Sequence, residues 1–431
     1  MILRSSLLLF ARFAQARIPP FILSLRYLYP KSCQNIQLHR RIFLANCNNP
    51  LKLLFYGLIY IRWVSYEAWL GSYRACKHQT EAQLEYYGLS RWALFFDLLR
   101  YSICHLISAR DYFEFRLYNK EKNLFDYLYT QELGYFHHRI NQCFRNYHRA
   151  VELLADKHHF SSLLQNKGIP TVTGVCIETD KFNIKSVAER EAIKRAIFCK
   201  PNKGARSEDA FLIKRCAIDQ VYQLLPMRGD IITCPVGIES YLNKIAKRHQ
   251  KILIQPFVTD HFAMKQMNTQ NAVSTVRIIT AKKTSSIDLD SELLYIQLEI
   301  PQANISSTIT TNKMTKRYTT LPLDLETLDV DLEFKKQPFF DQKTDVTISI
   351  ELKKLLRGSI ANCLQAHKML LDLRTVAFDV VIGEDGPMIL EGNSHWSLDY
   401  FAYVEPLGPL HHQSNHPSSR WLKSVMLEII Q

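Results

Sequence analysis

The stretch FDVVIGEDGPMILEGN, residues 378–393, constrains the fold of this chain more than any other. Two apolar runs flank Glu-Asp-Gly-Pro, a pattern that predicts a β-hairpin closed by a three-residue loop with Gly386 in the left-handed conformation. Counting back from the middle of that loop places Asp379 roughly opposite Glu391. Glu391 and Asn393 are two residues apart, so they share one face of their strand. The sequence therefore predicts three oxygen-bearing side chains on one face of a hairpin.

These three side chains form a ligand set that suits Mg²⁺. This ion prefers hard oxygen ligands and is commonly shared with the phosphates of a substrate. The alternative is a solvated strand face, or charges that keep an edge strand from pairing with another chain. The hairpin alone leaves both interpretations open.

Length and composition set the general class of the protein. The 431 residues provide for two or three domains, and 47% hydrophobic and 22% charged residues are typical of a globular chain. The 10 cysteines are scattered and contain no C-x-x-C pair. This argues against a structural zinc site and a dense disulfide framework, and indicates a reducing, cytoplasmic compartment.

The positive charge is concentrated at the start of the chain. Residues 1–66 hold nine of the 54 Lys and Arg residues and no Asp or Glu, so the remaining 45 basic side chains nearly balance the 41 acidic ones. A nucleic-acid interface would have to rest on that segment alone, and we expect no nucleic-acid partner.

The segment 1–66 is apolar as well as basic, but no apolar run approaches the ~20 residues of a membrane-spanning helix. Three interpretations stay open: an organelle transit peptide, ordinary helices packed on the following domain, or a basic amphipathic anchor. The anchor would place the protein at the inner face of a membrane. Residues 67–150 show apolar residues at helical spacing and are predicted to be mainly helical, with Ser90 as an N-cap.

The composition shifts near residue 151 to mixed strands and helices without regular alternation, which predicts an α+β fold. A helix is expected to stop at Gly168, and a strand to end at Lys200. Further strands are expected in KILIQPFV, NAVSTVRIITAKK and ELLYIQLEI, and from Thr308 to Leu321. The stretch LKKLLRGSIANCLQAHKMLLDL predicts a long helix before the hairpin.

Five motifs occur in order: ADKHHFSSLLQNKGIPT, IFCKPNKGARSEDAFLI, ILIQPFVTDH, STVRIIT and the hairpin. Together they resemble the ATP-grasp superfamily, and its sugar-transfer-associated group in particular, over about residues 110–405. The resemblance implies two α+β subdomains that clasp ATP, preceded by a mainly helical region. The implied division is a basic apolar segment 1–66, a helical region 67–150, N-terminal and lid subdomains 151–255, and a C-terminal subdomain with the metal site 256–431.

The resemblance also implies nucleotide-binding residues. Lys157 matches the lysine that approaches the α-phosphate, and Lys200 matches the second nucleotide lysine; the alternatives are a helix-surface and a strand-end lysine. The polar loop after Lys200 matches a lid over the phosphates, although it has a single glycine. The remaining implied contacts are Gly204, Arg206 and Ser207 in the lid, Gln255, Phe257 and Val258 around the adenine, and Asp260 or His261 at the ribose.

Catalysis and metal binding are assigned by the same resemblance. Arg277 and Lys200 are expected to offset negative charge on the transferred phosphoryl group, while a cross-strand ion pair is the plain alternative for Arg277. Asp379, Glu391 and Asn393 are expected to bind Mg²⁺. No covalent nucleophile motif and no Walker A pattern is present in the sequence.

The implied function is an ATP- and Mg²⁺-dependent ligase that joins a carboxylate to an amine through an acyl phosphate. Its substrates would be a small-molecule carboxylate and an amine or sugar-linked acceptor, with modification of a sugar or polysaccharide precursor as the expected role. Two alternatives stay open: an ATP-grasp kinase of small molecules, and a membrane-apposed scaffold that binds ATP without turnover. The single lid glycine and the absence of glycine between Gly237 and Gly358 favour the scaffold.

Overall fold

A computed structural model describes most of the chain. The described residues are 17–29, 33–142, 144–179, 196–203, 209–215, 222–226, 231–268, 273–282, 290–301, 318–330, 347–396, 421–422 and 424–425.

The described residues form helices and two antiparallel β-sheets. The α-helices are α1 Gln34–Asn46, α2 Pro50–Arg62, α3 Ala68–Lys77, α4 Glu81–Tyr87, α5 Arg91–His105, α6 Ala109–Glu114, α7 Leu133–Asn141, α8 Tyr147–Ala155, α9 Lys157–Asn166, α10 Pro235–Ala246, α11 Phe262–Lys265 and α12 Ile350–Met369. A π-helical turn, Trp63–Glu67, joins α2 to α3, and short 3₁₀ helices cover Leu25–Leu28 and Leu124–Asp126. The strands are β1 Val175–Glu178, β2 Ala196–Pro201, β3 Phe211–Arg215, β4 Tyr222–Pro226, β5 Lys251–Pro256, β6 Thr275–Lys282, β7 Ser291–Pro301, β8 Tyr318–Pro322, β9 Thr375–Gly383 and β10 Gly386–Asn393.

The N-terminal region is helical because its sequence supplies both caps and buried faces. Ser90 accepts a hydrogen bond from the Ala93 amide at the start of α5, as expected for an N-cap. Thr80 and Gln83 form a complete capping box at the start of α4. The prediction of a mainly helical region over 67–150 is confirmed, and helices also occupy much of residues 34–66.

The larger sheet has the strand order β10-β9-β6-β7-β8 and forms the centre of the molecule. One face packs on α8, α9 and α12 through residues such as Ile278 and Phe378. Other residues of the sheet, among them Ala281, Tyr295 and Ala377, share a core with the N-terminal helices. The α+β class is therefore confirmed, with a helical N-terminal region packed directly against the larger sheet.

The smaller sheet has the order β1-β5-β2-β3-β4 and carries α10 on one side. Its core is separate from that of the larger sheet and includes Ile197, Phe211, Ile254 and, from α10, Ile245. The strand predicted to end at Lys200 is β2, which extends one residue further, to Pro201. The stop at Gly168 is also observed, because this glycine has a φ of 69° after α9.

The hairpin forms as expected, but its turn differs from the prediction. Gly383 pairs with Gly386, so the loop has two residues, Glu384 and Asp385, where the sequence predicted three. The register then shifts by one residue between Ile389 and Glu391, which is a β-bulge. Glu391 is opposite Asp379 as predicted. The extra residue that brings the two into register lies in the bulge of β10, whereas the sequence interpretation placed it in the loop.

Two expectations extend beyond the described residues. Of the strand predicted from Thr308 to Leu321, residues 318–321 belong to β8 and the rest lies outside the described ranges. Gly204, Arg206 and Ser207, predicted for the lid, also lie outside them. Among the described helices, none combines the length and the apolar character that crossing a bilayer requires.

Candidate active site

A row of polar side chains crosses the larger sheet from one strand to the next. The antiparallel registers pair Glu391 of β10 with Asp379 of β9, Asp379 with Arg277 of β6, and Arg277 with Gln297 of β7. On β6, β7 and β9, the neighbours of these residues along the strand belong to the core under α12. Strand alternation therefore places the row on the face opposite α12.

Glycine between Glu391 and Asn393 is explained by packing on the other face of β10. A Cβ added at Gly392 would lie 2.8 Å from Leu154 Cδ2 and 3.3 Å from Phe160 Cζ, so helices α8 and α9 approach the strand too closely for a side chain. Gly392 thus lets the two helices pack on the back of β10. Glu391 and the half-buried Asn393 alternate to the opposite face.

Arg277 stands between two carboxylates. Its Nη1 lies 2.7 Å from Asp379 Oδ1, and its Nε lies 3.8 Å from Glu299 Oε1. Asp379 Oδ1 is buried and accepts no well-directed hydrogen bond, so the short contact with Arg277 is an ion pair without hydrogen-bond alignment. The plain alternative for Arg277, a cross-strand ion pair, is present in the structure and leaves an oxygen of Asp379 without a directed donor.

Asp379 and Glu391 are close enough to share a hydrogen bond, and their pKa values shift in opposite directions. Burial raises the pKa of Asp379 well above its usual range, Arg277 opposes that rise, and Glu391 adds to it. Burial also disfavours ionised Glu391, but Lys200, Lys157 and Arg277 outweigh it and lower the pKa of Glu391. The surroundings of the two adjacent acids therefore favour ionisation of Glu391 over ionisation of Asp379.

Lys200, on strand β2 of the smaller sheet, lies next to this carboxylate pair. Its Nζ lies 3.8 Å from Glu391 Oε2, and the side chain is 11% exposed. Burial lowers the pKa of Lys200, Glu391 opposes the shift, and the like charge of Lys157 adds to it. The structure therefore brings together five of the residues singled out from the sequence: Lys157, Lys200, Arg277, Asp379 and Glu391.

Asn202 fixes the two lysines relative to each other. Its side-chain oxygen accepts from the His158 amide at 2.9 Å, and its side-chain nitrogen donates to Asp156 Oδ1 at 3.0 Å. Its carbonyl accepts from the Lys157 amide at 3.3 Å. Asp156 also caps α9 by accepting from the His159 amide. The first turn of α9, with Lys157, is thereby attached to the chain two residues after Lys200.

The predicted adenine hinge lies at the end of β5: Gln255 is within the strand, and Phe257 and Val258 follow it. The side-chain nitrogen of Gln255 donates to the Val172 carbonyl at 2.7 Å. The amide of Phe257 donates to the Ala196 carbonyl, and Val258 lies beside the Gly383 end of β9. Part of the hydrogen-bonding capacity of Gln255 is thus used to hold the chain before β1.

Asp260 has contacts that indicate a structural role. Its carboxylate accepts from Asn268 Nδ2 at 2.7 Å, from Ser274 Oγ at 2.8 Å and from the Ser274 amide at 3.0 Å. Burial raises the pKa of Asp260, with these hydrogen bonds opposing the shift. His261 donates its amide to Ile382, and its ring caps α11. The ribose contact expected of Asp260 or His261 stays a prediction, and the carboxylate of Asp260 already accepts hydrogen bonds from Asn268 and Ser274.

The sequence interpretation missed a second part of the polar row. Tyr295 Oη donates to Gln297 Oε1 at 2.9 Å, Gln297 Nε2 donates to Glu299 Oε1 at 2.8 Å, and Thr275 Oγ1 donates to Glu299 Oε2 at 3.1 Å. This network continues the row beyond Arg277. The signal was present in LLYIQLEI, where Tyr, Gln and Glu alternate with apolar residues at strand spacing.

The donor set proposed for a metal is small. In the ranges that the structure describes, no group of three or more His, Cys, Asp or Glu residues is arranged to hold a metal ion. The candidate set therefore consists of the carboxylates of Asp379 and Glu391 and the amide of Asn393. A set of this size matches Mg²⁺, which keeps several water ligands and takes others from substrate phosphates.

Comparison with solved structures finds several distant likenesses. The chain aligns with D-alanine–D-alanine ligase from Bacillus anthracis in complex with ATP at 12% identity and a TM-score of 0.34, over 64% of this chain and 65% of that one. It aligns with D-alanyl-alanine synthetase A from Vibrio cholerae at 11% identity and a TM-score of 0.41, over 65% of this chain and 66% of that one. It aligns with the ATP-grasp ligase PsnB in complex with a minimal precursor at 12% identity and a TM-score of 0.33, over 66% of this chain and 62% of that one.

In each of these alignments the matched region is less than two thirds of the solved protein's length. No protein-family model matches the chain, and no curated protein matches it. With TM-scores below 0.5, the likenesses support no conclusion about activity.

Proposed function

We propose that this chain is an ATP- and Mg²⁺-dependent ligase of the ATP-grasp type, which joins a carboxylate to an amine through an acyl phosphate. One observation carries the proposal: Lys200 Nζ on the smaller sheet lies 3.8 Å from Glu391 Oε2 on the larger sheet, next to the Arg277–Asp379 pair. A triphosphate with its cation requires ammonium, guanidinium and carboxylate groups at one place. Two sheets of separate cores supply them here.

The residues present fit Mg²⁺. The buried Asp379 Oδ1 accepts no directed hydrogen bond, and a hard cation would satisfy it. Asp379, Glu391 and Asn393 would hold the ion. When bound, it would neutralise charge on the phosphate oxygens.

The cationic side chains bind and polarise the nucleotide. Lys200 is poorly hydrated because it is buried, and it provides a compact positive charge for a phosphate oxygen. Lys157, which is also buried, contacts the neighbouring phosphate group of the nucleotide. Arg277 is held between Asp379 and Glu299, so its guanidinium stabilises charge that develops on the transferred phosphoryl group.

The adenine is placed at the end of β5, where backbone groups after Gln255 bind its edge and Phe257 and Val258 flank its faces. His261 contacts the ribose. The residues that the resemblance implies for the lid, Gly204, Arg206 and Ser207, lie outside the described ranges.

The reaction has two steps. A carboxylate oxygen attacks the γ-phosphorus of ATP, the bond to the β-phosphate oxygen breaks, and ADP and an acyl phosphate form. The amine then attacks the acyl carbon, its N–H proton is lost to solvent, and inorganic phosphate leaves. The protein contributes positioning and charge stabilisation in both steps, and no covalent enzyme intermediate is involved.

We infer that the amine acceptor is sugar-linked and that the product serves polysaccharide formation. This part rests on the likeness of the Gln-Pro, Thr-x-Arg-Ile-x-Thr and Asp…Glu-Gly-Asn elements to the sugar-transfer-associated group. We also infer a cytoplasmic location, since the cysteines in the described part of the chain are free thiols and ATP is the phosphoryl donor.

The binding step is tested by calorimetric titration of the full chain with ATP in the presence and absence of Mg²⁺. We expect Glu391→Gln to weaken Mg²⁺-dependent ATP binding at least about tenfold, since it removes one of two metal carboxylates. Asp385→Asn, at the exposed tip of the same hairpin, is the matched control and leaves affinity unchanged. Equal affinity in both variants would overturn the assignment of the site.

The reaction class is tested by ADP release in a panel of carboxylates and amines, with hydroxylamine as a trap. A ligase releases ADP only with a suitable carboxylate, and hydroxylamine converts the acyl phosphate to a hydroxamate. ADP release with a hydroxyl substrate and no hydroxamate would instead identify a kinase. ATP binding without turnover across the panel would indicate the binding scaffold. Preference for amino sugars over amino acids as the amine tests the acceptor class.

A further inference from the structure

Helices α2, α3 and α5 present large apolar side chains to solvent on one side of the N-terminal region. We call this surface the apolar face and define it by six exposed residues: Leu54 (64%), Leu58 (49%), Ile61 (61%), Trp69 (47%), Trp92 (73%) and Phe96 (61%). The ring of Phe95 contacts both Trp69 and Trp92 and joins the helices across the surface. Clusters of large exposed apolar side chains on adjoining helices often mark an interaction surface.

The π-helical turn Trp63–Glu67 keeps the apolar face continuous along the helix. The amide of Ala68 donates to the Trp63 carbonyl, an i→i+5 bond that absorbs one extra residue. Tyr66 thereby follows Ile61 on the same side, and Trp69 follows three residues later. In an uninterrupted α-helix, Tyr66 would be rotated away from Ile61 by about 140°. The local geometry therefore aligns exposed apolar residues that sequence spacing alone would separate.

The charged side chains on the helices of the apolar face are mostly basic, and the acidic ones are Glu67 in the π-helical turn and Asp97 in α5. Residues 17–66 contain no Asp or Glu, and Lys52, Arg62 and Arg74 lie on the same helices as the exposed apolar residues. Glu67 is half-buried, and Asp97 is paired with Arg100 at 2.9 Å. An apolar helical surface with exposed indole rings and basic neighbours fits the interface of an anionic bilayer, where Trp sits at the level of the lipid headgroups.

We propose that the apolar face docks on the surface of an anionic lipid bilayer, with the side chains of Trp69 and Trp92 among the headgroups. The helices lie on the bilayer, since none of the described helices is suited to spanning it. Charge complementarity favours lipid over a protein partner, because the basic neighbours are drawn to a surface of uniform negative charge. The inference is independent of the nucleotide site.

The tryptophans provide a direct test, because all five lie in the described part of the chain and two of them are exposed. Trp63, Trp396 and Trp421 are buried, whereas Trp69 and Trp92 are on the apolar face. The full chain is mixed with vesicles of equimolar phosphatidylcholine and phosphatidylglycerol whose acyl chains are brominated. We expect fluorescence quenching that disappears in a variant with Trp69→Phe and Trp92→Phe. Quenching that persists in this variant would overturn the proposal.

Vesicle co-sedimentation tests the same surface without changing a tryptophan. Leu54→Glu with Leu58→Glu should lower partitioning to the anionic vesicles at least about tenfold, since two apolar contacts become charged. Val236→Glu with Leu371→Glu is the matched control, since these residues are exposed at 78% and 52% on other elements. We expect the control to bind like the wild type, and both pairs to keep wild-type ATP affinity and circular dichroism spectra.

Two further results would overturn the inference. Equal binding of the wild type to pure phosphatidylcholine and to anionic vesicles would remove the role of the basic residues. A wild type that does not bind vesicles but sediments as a dimer, with Leu54→Glu and Leu58→Glu giving a monomer, would show that the apolar face is a protein interface. Neither result depends on ATP turnover, so failure of this inference is distinct from failure of the proposed ligase activity.

Discussion

Lys200 illustrates how a single residue is shaped by its neighbours. A buried ammonium costs free energy unless a negative group is close, and Glu391 at 3.8 Å is the partner of Lys200. The pKa of Lys200 is still lowered, because burial and the charge of Lys157 outweigh the attraction of Glu391. Three cationic side chains at one place, Lys157, Lys200 and Arg277, suit an anion with several negative oxygens, as a triphosphate provides.

His367 gives a residue-scale prediction about stability. Its ring is fully buried in α12, between the Thr280 hydroxyl at 2.8 Å and the Leu373 carbonyl at 3.1 Å. Burial lowers the pKa of His367 to about 3. The unfolded chain takes up this proton near its ordinary pKa of 6.5, so between these two values the unfolded state binds more protons. The free energy of unfolding should therefore fall as the pH decreases through this window, by a few kcal/mol for this group.

Urea denaturation at about pH 7 and about pH 5 measures that effect. We expect His367→Gln to lower stability at the higher pH by about 1–3 kcal/mol, since a buried hydrogen-bond pair is disturbed. The difference in stability between the two pH values should be smaller in the variant than in the wild type. His159→Gln, at an exposed position of α9, is the control substitution. An unchanged pH difference in His367→Gln would contradict the neutral buried ring.

At the scale of elements, the packing behind β10 determines whether the site can form. Gly392→Val should lower the free energy of unfolding by about 1–3 kcal/mol, because the added side chain overlaps Leu154 and Phe160. It should also weaken Mg²⁺-dependent ATP binding, because β10 is displaced from α9 and Glu391 moves with it. Gly57→Ala is the control: nothing lies within 4 Å of its added Cβ, and we expect a gain of about 0.5–1 kcal/mol. Equal thermal stability of the two variants would refute the packing argument.

The link between α9 and β2 gives a second prediction at this scale. Asn202→Ala removes two side-chain hydrogen bonds, to His158 and Asp156, and should cost about 1–2 kcal/mol of stability. Because Lys157 is then less firmly held beside Lys200, ATP affinity should fall about tenfold, with the Mg²⁺ dependence preserved. Asn243→Ala, at an exposed position of α10, is the control. Calorimetric titration that finds full ATP affinity in Asn202→Ala would show that the link does not position the lysine.

The elements also show what the sequence could and could not predict. The alternation of apolar and polar residues predicted the strands, the α+β class and the opposition of Asp379 and Glu391. It did not reveal the extra residue at the bulge, because a bulge depends on how the partner strand pairs and leaves no period of its own. The hydrogen bonds of Asp260 were also inaccessible, since Asn268 and Ser274 meet it only through a chain reversal.

The whole molecule combines a larger body with a smaller sheet that has its own core. The body contains the N-terminal helices together with β6 to β10, because residues such as Leu38 and Trp63 share a core with Ile279 and Tyr295. Two described links join the smaller sheet to its surroundings: Gln255 donates a hydrogen bond to the Val172 carbonyl, and Lys200 Nζ lies 3.8 Å from Glu391 Oε2. Hydrogen exchange should show slower exchange in the body than in the smaller sheet, since each core opens as its own cooperative unit.

Removal of residues 1–66 provides the sharpest test of this organisation. The truncation deletes Phe21, Leu38, Ile42 and Trp63 from the core that they share with the larger sheet. Each buried side chain contributes about 1.5–3 kcal/mol, so the loss is comparable to the 5–15 kcal/mol that stabilises a typical domain. We therefore expect the truncated chain to aggregate or to lose its cooperative thermal transition, whereas Leu54→Glu with Leu58→Glu in the full chain melts like the wild type. A truncated chain that melts cooperatively and still binds ATP with Mg²⁺ would show that the N-terminal helices are a separate unit, dispensable for the fold of the larger sheet.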